Sequence, residues 1–131
     1  MTARRFSIEI DREFAECMGE VRAIVGKTAL EALSRVVQRT PVDTGRARGN
    51  WFVSFGSAEN QTTALVDPSG SATISKGAAK IGTYRRETSF PKIVLYNNLP
   101  YIGRLEDGYS TQAPTGMVAI TAMELNLRAA A

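Results

Sequence analysis

Apolar residues in the first third of the chain recur three and four positions apart. Phe14, Met18, Val21, Val25, Ala29, Leu33 and Val36 form one stripe, with charged residues filling much of the remaining surface. This periodicity predicts an amphipathic helix from about Asp11 to Arg39, ended by Pro41. Pro41–Arg46 then reads as a turn, with Asp43 bonding backbone two residues on and Gly45 supplying a positive φ. The pattern next changes to period two. Trp51, Val53 and Phe55 share a face, so Asn50–Phe55 is expected to be a strand. Thr62–Val66 reads as its antiparallel partner in a hairpin. Asp67–Ser71 breaks the chain, and Ala72–Ile81 suggests a short helix weakened by Gly77. Thr83–Pro91 is a polar connector. Lys92–Tyr96 is continuously apolar after its lysine, which predicts a central buried strand. Asn97 and Asn98 precede Pro100 and a short helix through Glu106, stopped by Gly108. Pro114 opens a last helix over about Thr115–Arg128, with Val118, Ala122 and Leu125 as its stripe. The fold class is α+β: a long N-terminal helix, a small sheet with a hairpin and a C-terminal helix, in a single domain spanning residues 1–131.

Composition narrows the function classes. The 131 residues are 44% hydrophobic and 22% charged, ordinary values for a globular domain. No apolar run approaches the roughly 20 residues that a membrane helix needs, and no apolar segment follows the basic N-terminus. A cytoplasmic site of synthesis is therefore expected. The lone Cys17 cannot form an intrachain disulfide and reads as a small buried or half-buried hydrophobe. Histidine is absent, so Ser-His and Cys-His catalytic pairs are excluded. Glu106 and Asp107 are adjacent and would diverge by about 100° on a helix, which makes no carboxylate dyad. Phosphate-binding loops and dinucleotide fingerprints are lacking. The expectation is a non-enzymatic protein without cofactor or metal.

The net charge of +3 is modest, but its distribution is uneven. Lys76, Lys80, Arg85, Arg86 and Lys92 face one acid, Glu87, within a short stretch. These residues suit an acidic partner or a nucleic-acid backbone, with Tyr84 available for stacking, or simply a solvated face.

Three blocks carry a resemblance. Thr40-Pro41-Val42-Asp43-Thr44-Gly45-Arg46, followed by Gly49-Asn50-Trp51, resembles the signature of the HK97 gp10-like phage proteins. Tyr96-Asn97-Asn98-Leu99-Pro100-Tyr101 with Leu105-Glu106-Asp107-Gly108 resembles that family's second block. Gln112-Ala113-Pro114-Thr115-Gly116-Met117 is similar to its third. The blocks run in the family's order from Thr40 to Met117. Asp107 departs from it, standing where the family more often has Tyr or His, and Lys76–Arg86 is less regularly helical than in many relatives.

The resemblance implies a neck or tail-completion protein at the head–tail interface of a long-tailed phage, acting as a ring. Its implied neighbours are connector or head-completion proteins and tail-tube or tail-terminator proteins. Transient contact with DNA would follow from that position. The site of action would be the virion, after synthesis in the bacterial cytoplasm. A tail-terminator ring and a small basic nucleic-acid module are the alternatives. Ring contacts concentrate on aromatic and arginine anchors. The interface candidates are therefore Asp43, Thr44, Gly45, Arg46, Trp51, Asn97, Asn98, Tyr101, Arg104 and Glu106, with Tyr96 considered beside them. Several have a plain alternative: Trp51 and Tyr96 as core, Asp43–Gly45 as turn, Glu106 as capping or solvating its own helix instead of pairing with a neighbour's Arg46. Residues 67–91 are expected to be mobile in the free subunit.

Overall fold

A computed structural model describes residues 3–127, with side chains from Glu16 onward. Helix α1 spans Ala3–Arg39, so it begins earlier than the apolar stripe suggests. Neither glycine nor proline occurs before Gly19 to stop it. Its 37 residues correspond to a rod about 55 Å long. Phe14 and Arg128, which belong to the expected stripe and last helix, lie outside the described side chains.

Among the described residues of α1, those from Ala32 on enter the core, and Cys17, expected to be buried or half-buried, is exposed. Leu33, Val36 and Val37 are buried there with Trp51, Ile81, Ala113 and Met117. Helix α3, Ser71–Gly82, lies against α1. The close approach depends on Gly77, where an added Cβ would stand 2.2 Å from a Leu33 methyl and 3.2 Å from Val53. The glycine that weakens the helix pattern thus permits the packing. A one-turn 3₁₀ segment, Tyr84–Arg86, follows. Residues 71–86, within the stretch expected to be mobile in the free subunit, form these two helical segments. Limited proteolysis of the free protein should spare 71–86 and cut the exposed 57–62 loop. Preferential cleavage inside α3 would restore the first expectation.

The sheet is the principal correction. Strand β1, Phe52–Phe55, pairs antiparallel with β2, Ile93–Tyr96, in the register Phe52↔Tyr96 and Phe55↔Ile93. Thr62–Val66 forms no strand. The Asn50 side chain holds that segment instead: its Oδ1 accepts from Thr63 N at 2.9 Å and its Nδ2 donates to Thr63 O at 3.0 Å. Leu65 and Val66 remain exposed. With two strands in the sheet, β2 is not central, and Ile93, Val94 and Leu95 are only half-buried.

Short helices α2 (Arg46–Gly49), α4 (Ile102–Glu106) and α5 (Val118–Glu124) complete the chain. Helix α5 starts later and ends earlier than Thr115–Arg128. Its first turn is set by Glu106, whose carboxylate accepts from the backbone N–H of Met117, Val118 and Ala119 at 2.7–3.0 Å. Its last turn is tied to α1, where Arg39 and Arg35 both bind Glu124.

Two carboxylates make this packing pH-dependent. The Arg39 hydrogen bond is the main cause holding Glu124 below its ordinary value. Burial alone would raise Asp67, but bonds from Thr73 Oγ1 and N, with others from Gly70 and Ser69, leave it lowered. Both groups are more acidic folded than unfolded. Their stabilisation is present above the usual carboxylate range of about 4 and is lost as pH falls through the lower native values. Urea midpoints should therefore fall below about pH 4, and Glu124→Gln should flatten the slope. An unchanged slope would remove Glu124 from this role.

Candidate assembly surface

The three sequence blocks converge. The loop after α1 carries Pro41–Gly45. Gly45 sits at φ +95°, and an added Cβ would lie 2.6 Å from Pro68 N. Its carbonyl accepts from Asp67 N at 2.9 Å, so this turn is anchored to the loop preceding α3. Seventy residues on, Gln112 straps the same turn: Val42 N donates to Gln112 Oε1 at 2.8 Å, and Gln112 Nε2 donates to Val42 O at 3.0 Å. The side-chain amide thus reproduces the exchange of a paired backbone.

The strap closes one side of a groove of about 510 Å³ between the Pro41–Ala47 turn, Tyr101 and Leu105, and Tyr109–Gln112. A smaller groove of about 320 Å³ lies beyond Gln112, between the end of α1 and Ala113–Gly116. Asp43, Thr44 and Arg46 are exposed on the first turn, and Tyr101, Arg104 and Tyr109 are exposed opposite. The Arg104 guanidinium lies 4.3 Å from the centre of the Tyr109 ring. Hydroxyls, amides, aromatic faces and the Arg46 guanidinium line this surface. These groups suit recognition of another protein.

The remaining interface candidates serve the fold. Trp51 is 4% exposed, and its Nε1 donates to Thr40 Oγ1 at 2.8 Å; Thr40 in turn donates to Val36 O. Asn97 Nδ2 donates to Ala47 O, and Asn98 Nδ2 donates to the carbonyls of Glu59 and Gln61. Glu106 caps α5 in its own chain. Tyr96 is buried and stacks on Phe52, with ring centres 5.7 Å apart. Burial, with Glu59 adding, raises its phenol.

Arg48 was not among the candidates. Its Nε donates to Thr40 O, Nη1 to Pro68 O and Nη2 to Gln38 O, at 2.8–2.9 Å. One cation therefore closes the end of α1 and clamps it to the loop before α3. Backbone carbonyls have no sequence signature, so only the Arg-rich Arg46-Ala47-Arg48 run hinted at this residue.

The basic residues occupy a different face. Lys76 and Lys80 are exposed on α3, one turn apart, with their ammoniums 4.3 and 4.5 Å from the ring centres of Phe52 and Phe55. Arg85, Arg86 and Lys92 are also exposed. Tyr84 is not available to stack a base: it is 2% exposed, packs edge-on against Phe55 and donates its hydroxyl to Pro91 O at 2.8 Å. Lys76–Gly82 lies within α3, in keeping with the short helix expected over Ala72–Ile81.

No family model, curated protein or solved structure matches this chain.

Proposed function

We propose that this chain is a non-enzymatic structural subunit of a long-tailed bacteriophage virion, acting in a ring at the head–tail interface as a neck or tail-completion protein. The observation supporting this reading is that residues of all three blocks, Pro41–Arg46, Tyr101 with Leu105, and Gln112, line one accessible groove. The Gln112 strap and the Glu106 cap tie these segments to one another by hydrogen bonds. Segments far apart in sequence have no need to share a surface if each is only local turn chemistry.

Helix α1 adds a second support. Residues Glu16, Cys17, Glu20, Val21 and Ile24 are exposed on it, whereas burial of its described apolar residues begins at Ala32. The described part of α1 before Ala32 thus leaves apolar side chains such as Val21 and Ile24 exposed, which suits a protein that completes its packing against neighbours. The nucleic-acid alternative is less well supported, because its stacking residue is internal. A tail-terminator ring shares the same surfaces and differs only in its neighbours.

Deleting the gene from the phage or prophage that carries it tests the proposal. Electron micrographs of the lysate are expected to show DNA-filled heads and separate tails. Joined, infectious particles made without the protein would overturn it.

A further inference from the structure

We propose that the exposed row of α1 in one copy docks on the basic face around α3 of the next copy. This inference rests on the ring reading above and names the interface within it.

The donor row is Glu16, Glu20 and Ile24, spaced one turn apart, all exposed; Ile24 is 65% exposed. Between Ile8 and Glu20 the sequence holds five acids, Glu9, Asp11, Glu13, Glu16 and Glu20, against Arg12 alone. The acceptor face reverses this charge, with five bases against Glu87 between Lys76 and Lys92. Lys76 and Lys80 have the same one-turn spacing as Glu16 and Glu20, so two helices laid side by side can form two successive ion pairs. The acceptor is also partly apolar. Both lysines lie over phenylalanine rings, and Phe90, beside Arg22, is 44% exposed. An apolar residue such as Ile24 then has somewhere to go, which a phosphate backbone would not provide. The two surfaces are different patches of one chain, so the contact is heterologous and repeats around a ring. Complementary charge would set register and speed encounter, and the apolar contacts would hold.

The lysines make the test clean. The chain has four, Lys27, Lys76, Lys80 and Lys92, and one cysteine, Cys17, exposed beside the donor row. A short maleimide–succinimide linker on Cys17 of the full chain, with isotope-mixed copies to mark intermolecular links, should join Cys17 to Lys76, Lys80 or Lys92. Intermolecular links to Lys27, or none at high protein concentration, would overturn the proposal. A charge swap provides the second reading. Glu16→Lys/Glu20→Lys and Lys76→Glu/Lys80→Glu should each weaken self-association by about tenfold or more, and mixing the two should restore it. Urea midpoints show whether each variant is folded. If Lys76→Glu/Lys80→Glu abolishes binding to non-specific duplex DNA but leaves self-association intact, the face belongs to nucleic acid and the docking is wrong. A ring that persists but links elsewhere overturns this interface alone and leaves the head–tail reading to the deletion experiment.

Discussion

Trp51→Ala is expected to lower the unfolding free energy by about 3–5 kcal/mol, the usual cost of removing a large buried aromatic. That is a large share of the roughly 5–15 kcal/mol that holds a domain together. The indole fills the space between the end of α1, Ile81 and the Ala113–Met117 segment, and its N–H satisfies the buried Thr40 hydroxyl. Trp51→Phe keeps most of the volume and leaves Thr40 Oγ1 without its donor, so it should cost less, about 1–3 kcal/mol. Urea unfolding of the isolated protein reads both. The measurement also separates core from interface. An interface tryptophan would leave the subunit's midpoint unchanged and alter only its assembly, and that result would move Trp51 back to the surface.

Arg48→Ala is expected to cost about 2–4 kcal/mol, because three carbonyls lose a charged donor at once. Those carbonyls lie at Gln38, Thr40 and Pro68, so the loss should loosen the end of α1 and the turn that carries Asp43–Arg46 together. Arg48→Lys should recover little. An ammonium is a point charge and cannot span three acceptors set around a planar fork. Hydrogen exchange would locate the effect: faster exchange at Thr40, Ala47 and Gly49 with the core unchanged is the expected pattern. A variant as stable as the parent would show that solvent satisfies these carbonyls equally well.

Helices α1, α3 and α4 were legible because they are written in local periodicity and stop signals, whereas the four-residue α2 was not read and α5 is shorter than expected. Pro41 closes α1, and Gly108 follows α4, where those residues predict. The sheet was not legible in the same way. Thr62–Val66 and Lys92–Tyr96 offer β1 two similar apolar partners, and proximity in sequence favours the first. The structure takes the second, because Asn50 pins Thr63 by its side chain and so removes that segment from the ladder. An amide that binds backbone thirteen residues away leaves no pattern to read.

The same limit applies to the assembly surface. Its turn residues stand out in the sequence, but the Gln112 strap, the Glu106 cap and the Arg48 clamp all act on backbone groups across a distance. Backbone acceptors and donors are identical at every residue. For that reason Trp51, Asn97 and Glu106, with the exposed but backbone-bound Asn98, turn out to hold the surface in place. Asp43, Thr44, Arg46, Tyr101 and Arg104 are the ones left facing outward. Mutations that probe assembly belong at the second group, since the first would unsettle the fold.

The central claim is that this chain works by assembling. Native mass spectrometry of the purified protein, at low and at high salt, tests it most directly. A discrete closed oligomer that survives high salt is the predicted result, since apolar contacts persist where phosphate contacts are lost. A monomer at every concentration and salt, binding duplex DNA only at low salt, would contradict it.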